Sequence, residues 1–292
     1  MRATISLLVL MCVCSVTACA QDMSGNHNHG TAASPSDDMV SQEWAKQRVA
    51  KSPRHREWVK IKNGTREVNS FVVYPENKNK ATAVIVIHEI FGMSDWVQSL
   101  TDQLAEAGYV AIAPDLLSGM GPNGGGTESL SGNAVGQAIQ SLPPDQITAD
   151  LNAVADYIAK VPASNGKIVV TGYCWGGGQS FRYATNNPNI KAAFVFYGPA
   201  PASADGTPDK AALAKITAPV YGFYAGNDAR INATLPKTTE AMTELKKKYE
   251  PVTYEGAGHG FMRAGEAPDA NEANKKARDE AWARWKKILA SI

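Results

Sequence analysis

Cysteine is scarce in this 292-residue chain and unevenly placed: Cys12, Cys14 and Cys19 fall near the start, and only Cys174 lies in the body of the sequence. A disulfide-stapled framework is therefore excluded, because Cys174 has no partner in the same region. Excess charge of one sign is missing too. The 29 Lys and Arg offset 28 Asp and Glu to leave a net charge of +1, with no basic tract set apart from acidic residues, so a nucleic-acid partner lacks its electrostatic footprint. The apolar run Ile5 to Val13 is too short to span a bilayer. Internal repeats are absent as well. What remains is ordinary globular usage, 44% hydrophobic and 20% charged, over a length that suits one large α/β domain or two smaller ones.

The first twenty residues have the order of a secretory signal: Arg2, the apolar run, then small residues. Val16-Thr17-Ala18-Cys19 resembles the lipobox of bacterial lipoproteins, which makes Cys19 the candidate for lipidation and membrane attachment. Cleavage after Ala18 or Ala20 is the alternative and would leave a soluble exported protein. Residues 21–55, rich in Ser, Asn, Asp and Gly, are expected to form a flexible tether. His27 and His29 lie in it without Cys or carboxylate partners, so they read as linker and not as a metal site.

From Arg56 the chain alternates short β-branched runs with helical patterns, which predicts a mostly parallel sheet with helices on both faces. Strands are expected at Trp58–Ile61, Glu67–Tyr74, Ala83–His88, Val110–Ala113, Lys167–Thr171, Ala192–Tyr197, Pro219–Ala225 and Val252–Tyr254. The first two should form a hairpin around Asn63-Gly64. Helices are expected at Asp95–Ala107, Asp145–Lys160, Gly177–Thr185, Thr234–Tyr249 and Asn271–Ile292. The last mixes charges of both signs with Trp282, Trp285, Ile288 and Leu289 at helical spacing, the pattern of a docked amphipathic helix. Ser118–Ser141 has no strong period and reads as a lid or binding loop.

One strand runs directly into Gly172-Tyr173-Cys174-Trp175-Gly176 and a helix follows, which is the form of a nucleophile elbow carrying Cys where Ser is more usual. The strained turn brings backbone close to its neighbours, so Gly172 and Gly176 must lack a Cβ. The helix N-terminus should ease ionisation of the thiol. A buried, inert Cys is the bland alternative. An acid and a base nevertheless follow in the order such a fold demands: Asp228 at a strand end, and His259, the single His beyond Cys174, between Gly258 and Gly260.

Together with His88-Glu89-Ile90-Phe91-Gly92, Ala113-Pro114-Asp115-Leu116, Phe196-Tyr197-Gly198 and Gly258-His259-Gly260-Phe261, this elbow resembles the dienelactone hydrolase family of the α/β-hydrolase superfamily. The resemblance covers residues 56–292 and implies an α/β-hydrolase fold. It implies Cys174 as nucleophile, His259 as base, Asp228 as its orienting carboxylate, and Glu89 as a carboxylate that interacts with the resting thiol. Backbone N–H groups of Trp175 and Ile90 would form the oxyanion hole, with Tyr173 and Arg263 on the substrate side. Family members acting on dienelactone carry two Arg for its carboxylate; Arg263 fits one, and no Arg follows Asp115-Leu116-Leu117, so carboxylate clamping is at most half preserved.

The expected activity is hydrolysis of a small ester or lactone through a thioester at Cys174, with no cofactor or metal. Two other classes compete with this reading. A binding protein on the same fold would have dispensed with one of the three site residues, and a thiol-redox protein would carry a resolving Cys, which this domain lacks.

Overall fold

The computed structural model describes Met39 and residues 41–292. The signal, lipobox and most of the tether, including Cys19, His27 and His29, lie outside the described residues. The elements run α1 (Glu43–Ala50), β1 (Arg56–Asn63), β2 (Arg66–Val73), β3 (Ala81–Ile87), α2 (Asp95–Glu106), β4 (Val110–Pro114), α3 (Asn133–Ser141), α4 (Pro144–Ile158), β5 (Ser164–Tyr173), α5 (Trp175–Asn186), β6 (Ala192–Phe196), α6 (Lys210–Leu213), β7 (Val220–Ala225), α7 (Ala229–Asn232), α8 (Leu235–Glu244), β8 (Tyr249–Tyr254), α9 (Phe261–Ala264) and α10 (Glu272–Leu289).

The eight strands form one sheet in the order β1-β2-β4-β3-β5-β6-β7-β8. Pairing is antiparallel for β1 with β2 and β2 with β4, and parallel from β4 to β8. Residues of the central strand β3 are all buried, the continuous apolar run that a doubly covered parallel strand requires. Its side chains alternate between two cores: Ala83, Ile85 and Ile87 join Leu151, Val154 and Phe181 on one face, while Val84 and Val86 join Trp96, Leu100 and Trp285 on the other. The fold is the expected α/β-hydrolase architecture. Asn63 pairs with Arg66, so the hairpin turn is Gly64-Thr65, with Gly64 at φ 61°.

Three expectations are corrected. First, the predicted tether contains α1: Ala45 is fully buried and Trp44 and Val49 pack on the core beside α2. Arg54 pairs with Asp102 of α2 at 2.6 Å, and Arg48 with Glu266 at 2.5 Å, so the ordered domain begins before Arg56. Second, the stretch 118–141 is not all loop, because α3 buries Val135 and Ile139, one helical turn apart, against the sheet. Third, α8 stops at Glu244. Lys246 takes a left-handed φ of 55°, and Tyr249 enters β8 paired with Val220, so strand pairing overrides the helical propensity of Leu-Lys-Lys-Lys.

Candidate active site

Five chain segments converge where the parallel strands end at their carboxyl termini, the usual crevice of such sheets. Cys174 follows β5, Glu89 follows β3, Tyr197 follows β6, Asp228 follows β7 and His259 follows β8. Cys174 itself has φ 56° and ψ −117°, a conformation that costs a side-chain-bearing residue of order 1–3 kcal/mol and persists only under surrounding constraint. The constraint is visible. Cys174 N–H donates to Phe196 O at 3.1 Å, and its own carbonyl accepts from Gly177 N at 3.0 Å. A Cβ on Gly172 would overlap the carbonyl of Gly176, and one on Gly176 would overlap the carbonyls of Ile87 and His88. Both elbow glycines are therefore obligatory, as the sequence requires.

His259 Nδ1 donates to Asp228 Oδ2 at 2.5 Å. Asp228 is buried and caps α7, with Ile231 N donating to its Oδ1 at 3.3 Å, so two bonds fix the carboxylate. The His loop is held from behind. Gly258 N donates to Asn274 Oδ1 at 2.8 Å, and Asn227 N to Ala257 O at 2.9 Å. With Nδ1–H committed to Asp228, Nε2 is left as a lone-pair acceptor on a ring one-third exposed.

The surroundings of the Cys174 thiol are the backbone N–H groups of Trp175 and Ile90 and the carboxylate of Glu89, and among the described residues no hydrogen bond joins it to His259. Burial, and then the Glu89 charge, push it up to about 11, outweighing the pull of the two N–H donors. Easier ionisation at the helix N-terminus, expected from sequence, is thus reversed by burial and a neighbouring anion. The two N–H groups that touch the sulfur are the ones expected from Trp175 and Ile90 to receive an oxyanion.

Glu89 sits on a braced turn. His88 is fully buried and burial favours its neutral form; its Nδ1–H donates to Glu89 O at 2.9 Å while Nε2 accepts from Leu116 N at 3.3 Å. Asp115 accepts from Thr127 N at 2.7 Å and Thr127 Oγ1 at 2.8 Å, and Thr127 Oγ1 accepts from Met93 N at 3.0 Å. The Pro-Asp-Leu segment thereby ties residues 118–132 to the Glu89 turn.

A model of the dienelactone hydrolase family matches residues 68–292. The chain belongs to the dienelactone hydrolase family. A protein of Saccharolobus solfataricus named "Putative carboxymethylenebutenolidase" is 31% identical over 261 residues, 77% of this chain and 95% of its own. One of the same name from Salmonella typhi is 34% identical over 208 residues, covering 69% and 74%. A crystal structure from Klebsiella pneumoniae titled "Putative Dienelactone Hydrolase" superposes with a TM-score of 0.70 at 27% identity, covering 82% of this chain and 99% of its own. Membership makes the chain a hydrolase on an α/β-hydrolase fold.

Within this family member, two expected substrate contacts are placed otherwise. Tyr173 is a core residue, stacked on Phe196 at 4.6 Å and edge-on to Trp96 at 5.2 Å, because alternation along β5 turns it away from the crevice. Arg263 does reach the crevice, but its guanidinium is engaged. Its Nε donates to Glu89 Oε2 at 2.7 Å, it lies over the Phe91 ring at 5.3 Å, and Nη1 donates to Met39 Sδ at 3.6 Å.

Sequence reasoning missed Tyr197. With a φ of 41° and a fully buried ring, it lies edge-on to His259 at 5.1 Å in the electrostatic field of Glu89 and Cys174, and its hydroxyl has no hydrogen-bond partner among the described residues. The signal was the Phe-Tyr-Gly segment, which marked likeness without indicating a role.

Proposed function

We propose that the chain hydrolyses a small carboxylic ester or lactone through a thioester on Cys174. The observation that carries this reading is the strained elbow with its sulfur against two N–H donors, beside an imidazole whose Nδ1 is fixed by Asp228. On substrate binding the thiol turns from Glu89 toward His259, and Nε2 takes its proton. Sγ then attacks the acyl carbon. The oxyanion receives the N–H groups of Trp175 and Ile90, and imidazolium returns the proton to the departing alkoxide. A water deprotonated by Nε2 next attacks the thioester; the acid departs and the thiolate regains the proton. Glu89 guards the resting enzyme by keeping the thiol protonated.

The chain is further proposed to be exported and anchored through a lipid on Cys19, supported by Arg2, the apolar run and Val16-Thr17-Ala18-Cys19. Mass spectrometry of the mature N-terminus tests it: an unmodified Cys19 or a Gln21 start rejects the anchor and leaves the enzymology standing. For the chemistry, the test is release of p-nitrophenol from a short-chain ester. A stoichiometric burst abolished by iodoacetamide and by Cys174→Ala is expected, with turnover lower by roughly 10³ or more. Retention of a tenth of the activity by Cys174→Ala removes the thiol from the mechanism.

A further inference from the structure

Beside the oxyanion donor Ile90 lies a cavity of about 340 Å³ whose floor is Ile90, Phe91 and Val135 and whose wall is α3. The composition of that wall is unusual for a solvent-facing helix. Asn-Ala-Val-Gly-Gln-Ala-Ile-Gln-Ser carries no charge at all, in a chain where one residue in five is charged. Apart from Ser141 at its end, its exposed positions are carboxamides, and Asn133, Gln137 and Gln140 stand at i, i+4 and i+7, a single helical face, all three lining the cavity. None of the three side chains has a hydrogen-bond partner among the described residues, so all three amides are open to solvent and to a ligand. Gly136 at the middle of the face lines the cavity too, and a Cβ there would lie 3.9 Å from Ile90 Cγ1, in ordinary contact.

Charge is excluded from this cavity from both directions. Among the described residues no ionisable side chain lines it, and Arg263, which lies over the Phe91 ring, is paired with Glu89. A ligand carboxylate entering here would lose water without gaining a cation. Carboxamides suit a different chemistry, since each offers a donor and an acceptor, the pair that a hydroxyl satisfies in both roles.

We propose that this cavity is the substrate subsite and that Asn133, Gln137 and Gln140 select an uncharged, hydroxyl-bearing ester or lactone. The inference rests on the hydrolase reading of Cys174 and adds the substrate class. The full chain is assayed by pH-indicator release of acid from three γ-lactones: galactono-1,4-lactone, γ-hexalactone and a carboxymethyl-substituted γ-lactone. The hydroxylated lactone should have the highest kcat/KM, about tenfold or more above the carboxymethyl one. Gln137→Leu and Gln140→Leu should each lower the ratio of galactonolactone to hexalactone turnover about three- to tenfold, the worth of one uncharged hydrogen bond. Preference for the carboxymethyl lactone, or a ratio that neither substitution moves, overturns the subsite. Calorimetric binding of galactono-1,4-lactone to Cys174→Ala reads the subsite without chemistry. Weaker binding when Gln137→Leu is added supports it even if turnover fails, and unchanged affinity rejects it even if turnover succeeds.

Discussion

Arg263 Nε donates to Glu89 Oε2 at 2.7 Å, and both side chains are withdrawn from solvent beside the Cys174 sulfur. The pair joins the loop after β3 to α9, two segments 174 positions apart, and so couples the carboxylate beside the thiol to the segment that carries His259. The arginine that fits the half-preserved clamp is paired with a buried glutamate, so a substrate carboxylate would compete with Glu89 for it.

Removing one partner of this pair should be costly. Arg263→Gln strands the Glu89 carboxylate in a site where it is 1% exposed, an expected loss of about 3–5 kcal/mol in denaturant unfolding. The double variant Glu89→Gln with Arg263→Gln removes both charges and should recover all but about 2 kcal/mol. Equal stability of Arg263→Gln and wild type would show that water reaches the pair.

Glu89→Gln should shift thiol reactivity in the opposite direction from an ordinary loss of function. It deletes the like charge that raises the thiol and leaves Arg263 unpaired nearby, and both changes favour thiolate. The pH midpoint for iodoacetamide alkylation of the free enzyme should fall by roughly one unit or more from about 11, while ester turnover falls as well. Because the folded thiol is raised above its ordinary value of 9.0, it adds stability below pH 9 that is lost as pH climbs toward about 11. Cys174→Ser should lack that alkaline loss. Superimposable alkylation profiles for Glu89→Gln and wild type would make Glu89 a structural acid with no hold on the sulfur.

The site was legible in the sequence where a local requirement leaves a mark. Gly172 and Gly176 are marked because no Cβ fits against Gly176, Ile87 and His88, and Asp228 and His259 because they end successive strands in a fixed order. Features set by distant packing left no such mark. The helix of α3 hides among Gly, Ser and Pro, with only Val135 and Ile139 as its buried stripe. Burial of Ala45 depends on α2, fifty residues on, and Tyr173 could be assigned to the core only once the pleat of β5 fixed which side faces the crevice.

The elbow itself can be probed with two glycines two positions apart in sequence but different in surroundings. Gly176→Ala drives a Cβ into the carbonyls of Ile87 and His88 and should cost at least about 3 kcal/mol or prevent folding. Gly178→Ala meets nothing nearer than Pro199 Cδ at 3.4 Å and lies inside α5, where the change should be neutral or stabilising by about 0.5–1 kcal/mol. If the two variants unfold at the same denaturant concentration, the elbow is looser than its contacts indicate.

Truncation locates the start of the domain. If α1 belongs to it, a chain starting at Ser41 should match the stability of one starting at Gln21, whereas one starting at Arg56 should be markedly weaker. The second deletion exposes the α2 surface that Ala45, Trp44 and Val49 cover. It also strips Asp102 of both Ser52 Oγ and Arg54, leaving a buried carboxylate without its donors. Either effect alone is worth a few kcal/mol, so a fall in Tm of roughly 8 °C or more is expected for a domain of this size. Loss of Met39 has a separate signature, because its Sδ sits on Arg263 Nη1. A start at Ser41 frees that donor at the edge of the crevice without unfolding anything, and should raise kcat/KM for a carboxymethyl lactone relative to an uncharged one. Equal Tm values for the Ser41 and Arg56 starts would return residues 41–55 to the tether.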